Sequence, residues 1–327
     1  MNNSRRILLQ GAGSLAALAL LPRGALAAYP ERPIKLIVPF APGGNADIVG
    51  RLVGEGMSQA LGQAVIVENR TGAGGSVGAA EAARATPDGY TLFAGSNGPL
   101  SVNPAVMEKL TYDPLKDFAP VGLTSLVAHA LIVNAALPAK TLHEVIELSK
   151  RQLVGVGTSG VGSATHLTLE RLNAATGAKL VHVPYRGGGA LLPDLVAGTI
   201  QGAMTEVSSA LPHHRSGKAR FVAIASEKRL ALVPEVPTMI ESGVPGFTAA
   251  SYVGILAPSG TPAPVLSRLQ AALAAALKAQ KTVDRMRELG LEVASAELQT
   301  PAGFGAFIRR DYEGSQKAAR LAGLKKG

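Results

Sequence analysis

A chain of 327 residues carries 32 Lys and Arg against 23 Asp and Glu, a formal net charge of +9, with 4% aromatic residues, no tryptophan and no cysteine. That inventory excludes a thiolate nucleophile, disulfides, an iron–sulfur cluster and a lipid-modified cysteine tether. With no basic cluster interleaved with stacking residues, it also gives no platform for nucleic acid.

The first 27 residues have the order of an export signal: Arg5 and Arg6, an apolar run over 7–21, then the small-x-small site Ala25, Leu26, Ala27. The run is shorter than the roughly 20 residues a spanning helix needs. The arginine pair also fits a twin-arginine signal, and the sequence leaves that and ordinary secretion both open. Removing Arg5, Arg6 and Arg23 lowers the charge from +9 to +6, a mild attraction to anions. No second run of spanning length follows, so a soluble product near Ala28 onward is expected.

Ile34, Leu36, Ile37 and Val38 form an apolar run of the kind a buried strand shows, ended by Pro39 and Pro42. Gly43 and Gly44 permit a turn, Asp47 supplies a first-turn carboxylate, and Ile48, Val49, Leu52, Val53 and Leu61 recur at helical spacing up to Gly62. A strand that feeds a helix through glycines leaves backbone N–H groups facing open space, a site suited to a carboxylate or phosphate. Strand and helix signals then alternate over 65–68, 76–84 and 90–94, the pattern of β/α units on a parallel sheet. A loop is expected over 103–120. The apolar stretch 121–133, interrupted by Thr124, Ser125 and His129, has the length to pass from one lobe to a second. Alternation resumes with a helix over 141–150, opened by a capping box at Thr141 and Glu144, then 153–156, 164–175, 180–183, 190–197 and 221–225. A second apolar run, 249–257, returns the chain to the first lobe. Thr261–Pro262 and Thr300–Pro301 are placed as N-cap and N1 pairs of the last helices, which include the Ala-rich 265–279. The expected α/β lobes are 28–127 with 252–327, and 128–251.

Glycines and hydroxyls collect just after the predicted strands: Gly43–Gly44, Gly72–Gly75, Ser96–Asn97, Thr158–Ser163 and Arg186–Gly189. Those are the carboxyl ends of strands, where open α/β sheets bind ligands, so loops from both lobes face one cleft. Competing motifs lack their context. Gly155, Gly157 and Gly160 satisfy GxGxxG, but 179–185 offers no acid for a ribose. Gly74, Ser76 and Gly78 satisfy GxSxG without a strand leading straight into the serine. His213 and His214 are adjacent and point apart on a helix, and no HxxxH or GK[ST] sequence exists, so neither a metal nor a cofactor is expected. Ser163 and His166, three apart at a helix start, keep open a hydrolase or lyase as the alternative to a protein that returns its ligand unchanged.

Six segments in order, PIKLIVPFAPGGNADIVGRLV, LGQAVIVENRTGAGGSVGA, ATPDGYTLFAGSNGPLSVNP, YDPLKDFAPVGLTS, HVPYRGGGALLPDLVAGTI and VGILAPSGTP, resemble the Bug family, the TctC-like substrate-binding proteins of tripartite tricarboxylate transporters. The resemblance implies a periplasmic-binding-protein fold of type II, two α/β lobes joined by two crossing strands and closing on a small carboxylated solute. It implies a periplasmic monomer that passes its solute to membrane transporter subunits or a sensor domain. The family's first loop falls on Phe40, Pro42, Gly43, Gly44 and Asp47, its second on Gly72, Gly74 and Gly75, and the hydroxyl and amide after its third strand on Ser96 and Asn97. In the second lobe its hydroxyl-rich helix start falls on Ser159, Ser163, Thr165 and His166, and its Tyr-basic-Gly turn on Tyr185, Arg186 and Gly187. Three departures leave the ligand unassigned among di- and tricarboxylates, amino acids and aromatic acids. Asn45 replaces a small residue and adds a donor, Glu206 is one methylene longer than the frequent Asp, and 150–157 is short. In the expected site Phe40 covers the ligand's apolar part, and N–H groups near Gly43, Gly44 and Gly75 hold a carboxylate. Ser163 and Thr165 complete it from the other lobe. Glu206 orients an amine or hydroxyl, or pairs with a basic neighbour.

Overall fold

The computed structural model describes residues 29–324, so the export signal assigned to 1–27 lies outside the described residues. The apolar run after Pro33 forms β1 (Ile34–Val38), and the glycine turn delivers it to α1 (Asn45–Leu61). Ile34, Leu36, Ile37 and Val38 are fully buried, as a strand covered on both faces requires. β2 (Val65–Asn69), α2 (Ser76–Ala83) and β3 (Thr91–Gly95) follow, and β1 pairs in parallel with both β2 and β3. The region expected to be a loop over 103–120 instead begins with helix: a π-turn at Gly98–Val102 runs into α3 (Asn103–Val106). Its residues Leu100, Val102 and Val106 are buried, and that apolar spacing is what holds the turns.

β4 (Phe118–Asn134) is the strand on which the molecule turns. Its residues 118–128 pair with β9 (Ala250–Pro258), while His129–Val133 pair with β7 (Gly202–Glu206) and Ala130–Asn134 with β8 (Ala219–Ile224). Partners change between Ala128 and His129. The returning chain crosses beside it, because the His129 N–H donates to the Ala249 carbonyl and the Ala249 N–H to that of Ala225. Between the crossings lie α4 (Leu142–Arg151), β5 (Val154–Thr158), α5 (Ala164–Thr176), β6 (Leu180–Pro184), α6 (Gly188–Ala197), and α7 (Val207–Arg215) after β7. After β9 come α8 (Ala263–Lys278), α9 (Gln280–Glu288), the two-residue β10 (Glu292–Val293) on β4, and α10 (Pro301–Leu321). The strand path is β2-β1-β3-β9-β4-β7-β5-β6. It is parallel within each α/β unit, as the alternation of strand and helix signals predicts, and antiparallel along both crossing strands.

Each lobe has apolar packing of its own. Ile37, Phe93, Leu123, Leu256 and Phe304 cluster in the first, and Leu131, Val145, Val156, Leu169 and Met204 in the second. The capping box at Thr141 and Glu144 forms, with both reciprocal bonds present. Thr300 caps α10 through the Gly303 N–H, but Thr261 does not cap α8; its hydroxyl donates to the Pro258 carbonyl, and Pro262 takes the cap position. Among the described residues no helix is long and apolar enough to cross a membrane.

Candidate functional site

The strand ends turn toward one hollow between the lobes. Phe40, Gly44, Asn45 and Ala46 reach it after β1, and Ser96, Asn97 and Gly98 after β3. From the other lobe come Ser159, Ser163, Ala164 and Thr165 after β5, Gly188 at the start of α6, and Glu206 at the end of β7, with Ser251 from the crossing strand β9. Several of these are first-turn residues of helices, whose N–H groups have no intrahelical acceptor and sit at the positive end of the dipole. Gly44, the N-cap of α1, provides no side-chain cap, so the N–H groups of Asn45 and Ala46 are left for other acceptors. The cavity volume is about 20 Å³, room for a water molecule but not for a dicarboxylate, so the lobes are drawn together.

One backbone and one side-chain hydrogen bond cross that closure. The Ala41 N–H donates to the Arg186 carbonyl at 2.9 Å, and the Ser208 hydroxyl donates to Asn45 Oδ1 at 2.9 Å. Gly187 has φ +136°, and a β-carbon there would lie 2.7 Å from the Ala41 nitrogen, so the Tyr185–Gly187 turn presents backbone to the first lobe. Its side chains go elsewhere: the Tyr185 hydroxyl donates to Asp194 at 2.6 Å, and Arg186 is exposed. Gly74 likewise meets Val161 and Gly162 of the facing lobe, and Gly75 underlies the Phe40 ring.

The donors expected near Gly43 and Gly75 are already used. Asp47 accepts from the Gly43 N–H at 3.0 Å, from Asn69 at 3.0 Å and from Arg51, while the Gly75 N–H donates to the Gly72 carbonyl at 2.9 Å. Burial opposes the charge on Asp47, but Arg51, the Gly43 N–H and Asn69 outweigh it and hold the carboxyl below its usual range. Pro42 and Gly43 are exposed on the outer side of the turn. Asn97 lines the hollow, yet its amide is spent on the crossing strand, donating to the Ala250 carbonyl at 3.0 Å and accepting from the Tyr252 N–H at 3.2 Å.

Ser163 caps α5, its hydroxyl accepting from the His166 backbone N–H at 3.1 Å and lying 3.1 Å from Thr165 Oγ1. The His166 imidazole points away. Its Nδ1 accepts from the Gly162 N–H at 3.3 Å, and its ring stacks on His182 with centroids 4.0 Å apart. Burial and the neighbouring His182 push it down to about 4, so it is neutral and has no contact with the Ser163 hydroxyl. Among the described residues no cluster of ligating side chains is suited to a metal ion.

Glu206 is 8% exposed. Its oxygens accept from the Ser251 hydroxyl at 3.0 Å and the Thr205 hydroxyl at 3.3 Å, not from the basic neighbour considered from sequence. Burial, the largest effect on it, raises its carboxyl above the usual range. Behind it, Ser251 Oγ lies 2.7 Å from His129 Nε2, and His129 Nδ1 lies 2.8 Å from Thr168 Oγ1. Complete burial drives His129 down to about 3, so the imidazole supplies no positive charge.

Residues 49–311 match the family model described as the tripartite tricarboxylate transporter family receptor. The chain belongs to that family. Protein BugT of Bordetella pertussis is 34% identical over 300 residues, covering 91% of each chain. Among solved structures, the periplasmic binding protein BugD superposes with TM-score 0.88 at 34% identity, covering 91% of this chain and all of that one. MatC from Rhodopseudomonas palustris with bound malate gives 0.85 at 34% identity, covering 89% and 99%. A second R. palustris protein, with adipate, gives 0.87 at 30%, covering 91% and 100%. These are solute-binding proteins, and the hydrolase alternative built on Ser163 and His166 falls with that membership as well as with the geometry. In this family member, sequence reasoning missed Ala46, Gly98, Ala164 and Ser251 on the lining, while Gly188 lies within the 186–189 segment it placed at the cleft. The one available signal for Ser251 and its partner His129 was a polar residue inside each apolar crossing strand.

Proposed function

We propose that this receptor captures a small carboxylate in the interlobe hollow by hinge closure. The lobes would be 28–127 with 252–327 and 128–251, rotating about the paired crossings of β4 and β9. The observation that carries the reading is the meeting of helix starts from both lobes, with Ser96, Ser159, Ser163 and Thr165, around a single enclosed space. Charge-assisted bonds from such donors contribute roughly 1.5–3 kcal/mol each, so three to five supply the roughly 8 kcal/mol of micromolar binding. The malate and adipate held by relatives support a carboxylated solute. In this reading the mature protein works in the periplasm after removal of residues 1–27, and presents its closed form to membrane subunits of a tripartite transporter or to a sensor. A thermal-shift screen with malate, adipate, amino acids and aromatic acids tests it. A bound solute at a hundredfold excess over its dissociation constant adds about 2.7 kcal/mol of stability. No shift with any of these acids at millimolar concentration defeats the reading.

A further inference from the structure

We propose that the solute is a small amino carboxylate, its carboxylate held by the helix starts and its ammonium group by Glu206, which makes Glu206 the specificity-determining residue. The inference rests on the solute-binding reading above. The donors of the hollow, backbone N–H groups and hydroxyls, all serve an anion's oxygens. Among the described residues, no Lys, Arg or His lies on the lining, and the only ionisable side chain there is Glu206. The oxygens of Glu206 meet the neutral hydroxyls of Ser251 and Thr205, and His129, one step behind Ser251, is itself neutral. A carboxylate so placed lacks a counter-charge, and burial without one opposes its ionisation. A second carboxylate on the solute would meet like charge in a space almost free of water. An ammonium would instead form charge-assisted bonds to Glu206 and keep it ionised. The hollow thus carries two opposite preferences, as a zwitterion requires: helix starts and hydroxyls for an anion, and in Glu206 an acid with no basic side-chain partner for a cation.

Calorimetric titration of the purified protein near neutral pH with matched pairs separates the possibilities: L-aspartate against succinate, and L-alanine against propionate. In the pair that fits the hollow, the amino member is expected to bind at least about thirtyfold more tightly. Glu206→Gln should collapse that ratio to within about threefold, and Glu206→Asp, which keeps the charge, should retain the preference. Circular dichroism and thermal unfolding establish that both variants fold. Succinate or propionate binding as tightly as its amino partner overturns the inference while the receptor reading stands. So does malate or adipate binding where neither amino member binds, or a ratio that survives Glu206→Gln. If none of these compounds binds, the inference is overturned, and the receptor reading falls with it only where the wider thermal-shift screen is also without a shift.

Discussion

At Glu206 the cost of readiness for a ligand is visible in a single side chain. An acid whose carboxyl is raised in the folded state binds more protons there than in the unfolded chain, so stability falls as pH rises from the ordinary carboxylate range through the raised folded value. Glutamine removes that loss without orphaning the neighbours, because its amide donates to Ser251 Oγ, freeing the Ser251 hydroxyl hydrogen for His129 Nε2 2.7 Å away. Glu206→Gln is therefore expected to stabilise the solute-free protein by on the order of 1 kcal/mol at neutral pH. The gain should shrink toward pH 4, where the acid of the unfolded chain also begins to hold its proton. Melting temperatures of variant and wild type from about pH 4 to 8 check this. A difference that does not grow with pH rules out an uncompensated charge at this position.

Between the elements, the approach of the β1–α1 turn to the start of α6 is what a substitution can reach selectively. Gly44 has φ −79° and ψ 166°, a conformation open to any residue, yet a β-carbon there would lie 3.2 Å from the Gly189 nitrogen across the lobes. Gly44→Val should therefore leave each lobe folded, with a melting temperature near wild type, and cost the solute affinity by more than about tenfold through blocked closure. Normal affinity in this variant would reduce the turn to a connection. The same loop shows what could be read from residues alone. The strand, the turn and the helix followed from Ile34–Val38, two glycines and the spacing of Val49, Val53 and Leu61, because burial and backbone freedom act locally. The use of the N–H groups did not follow, since Asp47 at the third helical position reaches back to Gly43 and consumes a donor that looked free. That reach goes one residue past the N-cap Gly44 that the third-position acid of a capping box would bond, so the capping spacing alone did not mark it. β7 escaped notice for the opposite reason. Its sequence Gly202–Glu206 ends in Thr205 and Glu206, polar residues buried because they serve the hollow, so the strand lacks the apolar pattern that marks strands built only for a core.

For the molecule as a whole, a hollow of about 20 Å³ between the two lobes requires motion before a solute enters. The available motion is restricted. β4 and β9 are paired along 118–128, and the chain changes lobes only at the two adjacent crossings, so rotation of one lobe against the other is confined to that line. Besides the Ala41–Arg186 and Ser208–Asn45 bonds, each worth about 1 kcal/mol net, apolar contacts span the lobes: Met286, Leu289 and Leu291 share a buried cluster with Val207, Val233 and Val236, and Val102 and Val106 share another with Leu167. A solute bridging both sets of helix starts adds contacts that only the closed form offers, and shifts the balance toward closure by its differential affinity. Because the sequence has no cysteine, single cysteines at the exposed Leu115 and Leu153, one in each lobe, can carry a fluorophore pair without background. Energy transfer between them is expected to change on saturation with whichever acid raises the melting temperature, as a single transition from the open to the closed distance. The same titration of Gly44→Val should show no transition. A wild-type signal that stays constant through saturation would mean that solute is taken up without rotation of the lobes.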